Sequence, residues 1–232
     1  MGRLMNKINR FYVLLPSLNA VYIVVGKTGC SSVKYAISKF HSKNINVVYD
    51  HKSEKVFNYG NVHNVTPHQS DWRRINEITA NKFVFSFVRS PFTRVASCWY
   101  DKIIKNPKTM QYLDLPLVAG MSFEDFINAI CKIPDKCSDP HFAGQTYLIS
   151  NNKKVILPNF IGKFETMAKD WSIINKKLSN KLPVLENLNN SQNNDDYYNS
   201  IYTTDLRKKV YNRYKEDFER WYPDENPYNT GN

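Results

Sequence analysis

Residues 83–100 read FVFSFVRSPFTRVASCWY, and this stretch decides the fold of the chain. Its first six residues are an almost continuous run of apolar side chains, which is typical of a buried strand. Ser90 then caps a helix, and Pro91 occupies the first helical turn, where a missing N–H does no harm. The helix has one apolar stripe, formed by Phe92, Val95, Ala96, Trp99 and Ile103. The stretch therefore predicts a strand, a tight loop and a helix, with Arg89 at the end of the strand.

The same pattern occurs earlier, in residues 21–34, VYIVVGKTGCSSVK. The first five residues predict a strand that is covered on both faces, and a glycine-containing turn follows. Ser31 or Ser32 is placed to cap a helix with apolar positions at Val33, Ala36, Ile37 and Phe40. Each unit delivers a cation, Lys27 or Arg89, to the start of a helix. We therefore expect an α/β fold, a three-layer P-loop-like domain with a mostly parallel central sheet flanked by helices.

The rest of the chain predicts further elements around these two units. We expect strands at residues 47–49 and 155–161, a loop at 52–67, and helices at 71–80, 122–131, 166–178 and from Thr204 until Pro223. A length of 232 residues suits one well-buried core and is short for two. We therefore expect a single domain over residues 1–232, with residues 1–20 as an N-terminal extension and residues 185–200 as an Asn-rich irregular segment.

Composition limits the class of protein and its partners. Hydrophobic residues make up 42% of the chain and aromatic residues 14%, which excludes a disordered protein. The formal net charge of +11 favours anionic partners, although the cations are spread along the whole chain. No apolar run approaches the ~20 residues that a membrane helix needs, so we expect no transmembrane segment. Peripheral contact with a membrane surface remains compatible with the charge.

The four cysteines do not have the spacing of a zinc site, and we expect no metal. Cys131 and Cys137 are near enough in sequence to form a disulfide in an oxidising compartment. The two further thiols, Cys30 and Cys98, favour a reducing compartment instead.

The turn GKTGCSS, residues 26–32, has the form of a phosphate-binding loop. Its glycines let backbone N–H groups approach an anion, the helix adds its positive end, and Lys27 adds a full charge. It is not a Walker A loop, because GxxxxGK[ST] places its lysine directly before the helix. Arg89 stands where a magnesium-dependent NTPase usually has an aspartate, so we expect it to bind a second anionic group. Ser97, two turns into the helix, leans back and can join Arg89 around one phosphate.

These segments resemble the carbohydrate sulfotransferases that use 3′-phosphoadenosine 5′-phosphosulfate (PAPS), in the branch of chondroitin-type Golgi enzymes and their bacterial homologues. GKTGCSS is similar to the family's PKxxxT/S-type loop, with Gly26 in place of the proline, which loosens the turn. FVRSPFTRVASCWY is similar to the motif FVRxPxxRxxSxY, with the last tyrosine one residue late, at Tyr100. DPHFAGQTYL at 139–148 and IGKFETMAKDW at 161–171 are similar to two later family segments. The resemblance runs from about residue 21 to residue 221.

The resemblance implies an enzyme that moves a sulfuryl group by in-line displacement from PAPS to a hydroxyl of a saccharide or glycoconjugate, anionic or neutral. The product of the donor would be 3′,5′-ADP. It implies that the 5′-phosphosulfate is bound by Lys27, Thr28, Gly29, Cys30, Ser31 and Ser32, and the 3′-phosphate by Arg89 and Ser97. Lys27 would also stabilise the bridging oxygen as the S–O bond breaks.

The resemblance also implies a histidine base. Family members often place it shortly before the second strand, which makes His63 the first candidate and His68 the second. An ordinary histidine, with a pKa of about 6.5, accepts a proton near neutrality. His141 is expected either to contact the acceptor or to cap the next element. Gln145 is expected to be structural, and it is the second candidate for a contact with the acceptor.

Two other functions remain as alternatives. A P-loop kinase or NTPase would bind Mg-ATP. A basic nucleic-acid-binding module without catalysis would bind DNA or RNA with a steep dependence on salt. We expect no nucleic acid as a partner. The expected location is the cytoplasm, and the alternative is the lumenal catalytic domain of an enzyme that lacks its membrane anchor.

Overall fold

The two apolar runs form neighbouring parallel strands in a five-stranded sheet. The structure is a computed structural model, and it describes residues 10–44, 68–69, 71–107, 117–186 and 195–228. The strands are β1 (Phe11–Leu15), β2 (Ala20–Val24), β3 (His68–Gln69), β4 (Phe83–Val88) and β5 (Phe160–Lys163), in the order β3-β1-β2-β4-β5. Strand β4 pairs in parallel with β2 and β5, whereas β1 pairs antiparallel with β2 and β3. All strands but β1 therefore run in one direction, which confirms a mostly parallel sheet.

The α-helices of the described residues are α1 (Cys30–Asn44), α2 (Ile75–Thr79), α3 (Pro91–Trp99), α4 (Phe123–Ile130), α5 (Gln145–Ile149), α6 (Met167–Lys177), α7 (Asp195–Ser200), α8 (Thr204–Arg213) and α9 (Lys215–Trp221). Short 3₁₀ turns lie at Pro16–Leu18, Trp72–Arg74, Asp135–Cys137, Phe164–Thr166 and Pro223–Glu225. Within the described ranges, no helix has both the length and the apolar character that crossing a membrane requires.

Helices cover both faces of the sheet. On one face, Phe85 and Phe87 of β4 pack with apolar residues of α1 and α6. On the other face, Ile23 and Val84 pack with apolar residues of α2 and α5. A third cluster joins Val88, at the end of β4, to α3, α4, α7, α8 and α9. This arrangement confirms the three-layer α/β fold, and it places the carboxyl ends of β2 and β4 side by side, where α/β folds bind ligands.

Several elements agree closely with the sequence. Strand β4 has the predicted bounds, and α4 and α6 each begin and end within one residue of the prediction. The predicted strand at 47–49 and the predicted loop at 52–67 lie outside the described residues. All four cysteines are thiols, and no disulfide joins Cys131 and Cys137.

Other expectations were wrong. Residues 11–15 belong to the sheet as β1, between β2 and β3, and are not part of an extension. The predicted strand at 155–161 begins only at Phe160, because the Asn159 N–H donates to the Val84 carbonyl at 2.7 Å and joins the chain to β4 there. The segment expected to be irregular contains α7, and the last helix is broken at Tyr214 into α8 and α9.

The helix that carries the Arg89 motif ends in a wider turn. Residues Tyr100–Lys105 form a π-helix, in which the Asn106 N–H donates to the Asp101 carbonyl at 2.8 Å, five residues earlier. A π-turn holds one residue more than an α-turn, and such turns occur frequently at functional sites. The last tyrosine of the motif, Tyr100, is thus the first residue of the π-helix.

Candidate functional site

The predicted phosphate-binding loop, residues 26–32, joins β2 to α1. Lys27 and Gly29 both have a left-handed backbone, with φ of 67° and 75°. Thr28 lies buried between them, and its hydroxyl donates to the Val25 carbonyl at 2.9 Å, which closes the turn. Left-handed residues of this kind direct backbone N–H groups toward a common centre, and the fifteen-residue α1 begins directly after Gly29. The loop therefore has the geometry of an anion-binding nest.

Arg89, at the end of β4, lies beside this loop. Its Nη1 donates to the Lys27 carbonyl at 3.4 Å, and its Nε donates to the Thr93 hydroxyl at 2.9 Å. The guanidinium carbon lies 4.2 Å from the centre of the Phe164 ring and 5.8 Å from that of Tyr198. The residue is only 1% exposed. The structure thus brings together the two strand ends that the sequence predicted to converge.

Lys27 forms an ion pair with Asp101, in the π-helix. The distance from Lys27 Nζ to Asp101 Oδ2 is 2.9 Å, and Lys102 Nζ lies 3.3 Å from the same oxygen. Burial on its own would raise the pKa of Asp101, but the two ammonium groups outweigh it and hold that pKa well below its usual range. Two lysines that share one carboxylate leave a net positive charge. Asp101 and Lys102 are not among the site residues predicted from the sequence. Their place directly after Tyr100, at the end of the Arg89 motif, is the only sign of a role in the site.

The DPHFAG segment reaches the same loop. His141 Nδ1 lies 2.5 Å from Asp139 Oδ1, and the His141 backbone N–H donates to that oxygen at 2.8 Å. Burial opposes the ionisation of Asp139, but these hydrogen bonds and the charge of Lys102 outweigh it and lower its pKa. A Cβ added to Gly26 would lie 3.2 Å from both Cα and Cδ2 of His141. The imidazole therefore packs against the residue that precedes Lys27.

A family model described as the sulfotransferase family matches residues 11–223. The chain belongs to this family. No curated protein and no solved structure matches the chain. Sulfotransferases move a sulfo group from a donor to an acceptor, so the family supports the transfer of sulfo groups by this chain. The prediction of a sulfotransferase family from the two strand-end motifs is confirmed.

In this sulfotransferase, Gln145 holds the main chain of Arg89. Its Oε1 accepts the Arg89 N–H at 2.9 Å, and its Nε2 donates to the Arg89 carbonyl at 2.8 Å. Its own N–H donates to Asp217 Oδ2 at 2.8 Å, and the residue has no exposed surface. This geometry agrees with the structural role that the sequence analysis expected of Gln145. Both polar atoms of the Gln145 side-chain amide are thus engaged by the main chain of Arg89.

Arg94 is a structural residue of the sulfotransferase site that the sequence analysis did not single out. Its guanidinium is buried and donates to the carbonyls of Gly26, Ala143 and Pro140 at 2.9, 2.8 and 3.0 Å. It therefore fastens the phosphate-binding loop to the DPHFAG segment. The signal was present, because the family motif FVRxPxxRxxSxY contains this arginine.

Two acidic residues from later segments of the chain, Glu165 and Glu225, accept hydrogen bonds from Ser90 at the start of α3. Ser90 was predicted to cap this helix, but its hydroxyl donates to Glu225 Oε2 at 2.5 Å instead. Glu165, in the segment similar to the GRFE-type motif, accepts the Ser90 N–H at 2.9 Å and the Tyr222 hydroxyl at 2.8 Å. These contacts join the C-terminal 3₁₀ turn to the Arg89 loop.

The four other predicted binding residues lie in the helices that start at the two loops. Ser31 and Ser32 are buried in the first turn of α1, which begins at the half-buried Cys30. Ser97 is buried on α3, eight residues after Arg89. Its contact with a phosphate stays a prediction.

The two predicted bases differ in what the structure describes. His63 lies outside the described residues, so its role as a base stays a prediction. His68 lies in β3, where it pairs with Val13, and Val13 pairs in turn with Tyr22 in the middle of β2. His68 is therefore two strands away from β2 and level with its middle, whereas Lys27 follows the strand's carboxyl end.

Proposed function

We propose that this chain transfers a sulfuryl group from PAPS to a hydroxyl of a saccharide or glycoconjugate and releases 3′,5′-ADP. The observation that carries the proposal is the contact of the Arg89 guanidinium with the Lys27 carbonyl at 3.4 Å. It places a basic group beside the phosphate-binding nest, as a donor with phosphates at two positions requires.

The residues of the site suit the two anionic groups of this donor. The loop at 26–32, with Lys27 and the start of α1, would hold the 5′-phosphosulfate. Arg89 and Ser97 would hold the 3′-phosphate. Burial of Arg89 strengthens its interaction with an anion, because the local dielectric constant is low.

The proposed reaction is an in-line displacement at sulfur. The oxygen of the acceptor hydroxyl forms a bond to sulfur while the bond from sulfur to the bridging phosphate oxygen breaks. The electron pair of that bond goes to the phosphate oxygen, where Lys27 and the nest N–H groups offset the developing charge. The hydroxyl proton goes to a histidine base, for which His63 is the first candidate from the sequence.

The acceptor is proposed to be an anionic saccharide. The net charge of +11 attracts anions to the whole surface. Lys102 adds a second ammonium group at the site, next to the carboxylate that it shares with Lys27. The proposed location is the cytoplasm, since the four cysteines are thiols, as a reducing compartment keeps them.

Ligand-induced thermal shift tests the donor. We expect 3′,5′-ADP to raise the melting temperature of the wild-type protein, and Mg-ATP to leave it unchanged. Arg89→Ala should weaken 3′,5′-ADP binding by roughly 10- to 100-fold, since a hydrogen-bonded charge is lost. Arg73→Ala is the matched control, because the Arg73 side chain is 88% exposed in a surface pair with Asp71.

Stabilisation by Mg-ATP alone would instead support a P-loop kinase or NTPase. Transfer of ³⁵S from labelled PAPS to a saccharide mixture then identifies the acceptor class. A protein that binds 3′,5′-ADP and labels no saccharide would contradict the proposed acceptor and leave the proposed donor standing.

A further inference from the structure

We propose that His141 is the general base of the transfer and that Asp139 is its positioning residue. The proposal rests on the proposed function, and it replaces His63 with a residue whose contacts the structure describes. Three observations carry it: the position of the imidazole, its hydrogen bond to Asp139, and its access to solvent.

The imidazole lies at the mouth of the phosphate-binding loop. A Cβ on Gly26 would lie 3.2 Å from His141 Cδ2, and Lys27 is the next residue. Arg94 holds this contact in place, because it donates to the carbonyls of Gly26 and Pro140, the residues that precede Lys27 and His141. The histidine is therefore fixed beside the place where the leaving oxygen and sulfur would lie.

The hydrogen bond to Asp139 sets the tautomer of His141. Asp139 is 14% exposed in its side chain and has a lowered pKa, so it is a carboxylate at neutral pH and only accepts hydrogen bonds. With Nδ1 at 2.5 Å from this oxygen, the ring proton of neutral His141 lies on Nδ1. The lone pair of Nε2 is then available to accept a proton, which is how a carboxylate orients a histidine base in other enzymes.

Solvent access distinguishes His141 from the other histidine whose side chain the structure describes. The His141 side chain is 36% exposed, so a hydroxyl from outside can reach it. His41 is buried on α1, where its Nε2 lies 3.2 Å from the Leu14 carbonyl, far along the helix from Lys27. Within the described part of the chain, His141 is thus the imidazole beside the loop that an acceptor can approach.

The proton balance of the transfer is complete with these groups. The acceptor hydroxyl gives its proton to His141 Nε2 as its oxygen bonds to sulfur, and Asp139 stabilises the imidazolium that forms. The S–O bond to the 5′-phosphate breaks with its electron pair, and Lys27 offsets that charge. The charge of Lys102 also acts on Asp139, and Lys102 pairs with Asp101 at 3.3 Å.

The position of His141 explains why residue 26 is a glycine. From the sequence alone, glycine in place of the proline is expected to loosen the turn. The structure shows that residue 26 lies against the His141 ring with little space, so a side chain there would push on it. The glycine lets the proposed base approach the loop closely.

The test compares variants of three histidines, His141, His63 and His51, in a single-turnover assay with labelled PAPS and a saccharide acceptor. His141→Ala and His141→Gln should lower the rate by about 10²–10⁴-fold and leave 3′,5′-ADP affinity within a few-fold of the wild type. Added imidazole should restore part of the rate in His141→Ala alone, with a pH dependence that follows the added base. His51→Asn, at a histidine to which the sequence gives no role, is the control and should keep the wild-type rate.

Asp139→Asn should lower the rate by less, because the amide does not fix the Nδ1–H tautomer. It should also shift the acid limb of the pH–rate profile to lower pH, because the amide carries no charge to stabilise the imidazolium. If the His141→Gln protein binds 3′,5′-ADP and transfers at the wild-type rate, the proposal is overturned. A loss confined to His63→Asn, with imidazole rescue there, would likewise overturn it in favour of His63. A wild-type protein that neither binds 3′,5′-ADP nor transfers sulfate would overturn the proposed function itself, which separates the two failures.

Discussion

At the scale of single residues, the phosphate-binding loop is defined by left-handed backbone conformations, which residues with a Cβ rarely adopt. Lys27 has φ of 67°, a conformation that costs a residue with a Cβ roughly 1–2 kcal/mol. It is retained because Lys27 is fixed at both ends, with its carbonyl on Arg89 and its ammonium group on Asp101. These contacts hold the loop in this geometry before any ligand arrives, so that less ordering is required on binding.

At Gly29 the constraint is steric as well as conformational. Its φ is 75°, and an added Cβ would lie 2.6 Å from Met167 Sδ and 3.3 Å from a ring carbon of Phe164. We expect Gly29→Ala to lower the free energy of unfolding by about 2–4 kcal/mol, from left-handed strain and overpacking together. Binding of 3′,5′-ADP should weaken as well, because the ring of Phe164 lies against the Arg89 guanidinium. Urea denaturation and calorimetric titration measure the two effects.

Gly120→Ala is the matched control for this prediction. Gly120 has nearly the same φ, 74°, but no atom lies within 4 Å of an added Cβ. It should therefore lose only the conformational part, about 1–2 kcal/mol, and keep its affinity for 3′,5′-ADP. Equal losses of stability in the two variants would show that Met167 yields to the Cβ at no cost.

At the scale of elements, hydrogen bonds from α9 through α5 to the end of β4 hold the main chain of Arg89. Asp217 of α9 accepts the Gln145 N–H at 2.8 Å and the Thr146 N–H at 2.7 Å, which satisfies the first N–H groups of α5. Gln145 then holds both main-chain polar groups of Arg89 at the end of β4. Burial raises the pKa of Asp217, although its hydrogen bonds and Arg94 oppose the rise. A C-terminal helix thus fixes a residue of the proposed 3′-phosphate site.

Asp217→Asn tests this chain of contacts. The new amide group would point a donor at an N–H or at the Thr146 hydroxyl, so we expect a loss of about 1–3 kcal/mol in unfolding free energy. Affinity for 3′,5′-ADP should fall too, since Gln145 no longer fixes Arg89. Glu219→Gln, on the same helix in an exposed pair with Lys215, should change neither quantity. If the Asp217→Asn protein is destabilised but binds 3′,5′-ADP with wild-type affinity, Asp217 stabilises α5 without positioning Arg89 for binding.

The elements differ in how far the sequence predicts them. Strand β4 is predictable because an unbroken apolar run ends at Arg89 and Pro91 can only begin a helix. Strand β1 is not, because Pro16 and Asn19 interrupt the N-terminal apolar residues and its pairing with β2 is decided by tertiary contact. The break in the last helix at Tyr214 cannot be predicted either, because the apolar positions on one side of the predicted helix continue through it.

The same distinction applies to the site. Lys27 and Arg89 are predictable, because parallel strands bring their carboxyl ends together. The pairing of Lys27 with Asp101 joins residues 74 apart and depends on the π-helix, which no spacing rule reveals. The contact of His141 with Gly26 likewise follows from the packing of two distant segments, which Arg94 holds together.

At the scale of the whole molecule, the site is assembled from almost the full length of the chain. Arg89 and Arg94 join the loop after β2 to the start of α3 and to the DPHFAG segment. Ser90 joins the start of α3 to the turn after α9. The contact of Ser90 with Glu225 alone spans 135 residues. Burial raises the pKa of Glu225, and the Ser90 hydroxyl and nearby cations only partly oppose it. Binding residues held by such long-range contacts form only when the entire fold does.

The net charge of +11 gives the whole molecule a field that acts before any contact is made. With PAPS saturating, we expect kcat/KM for an anionic saccharide to fall on the order of tenfold as ionic strength rises from 0.01 to 0.15 M, since the Debye length shortens from about 30 Å to about 8 Å. The neutral form of the same saccharide should change little, because it carries no charge for the field to attract. Initial rates with labelled donor measure this, and melting temperatures at each salt concentration control for stability. Parallel declines for the two acceptors would place the salt effect in the enzyme or the donor, and would contradict the proposal that the acceptor is recognised through its charge.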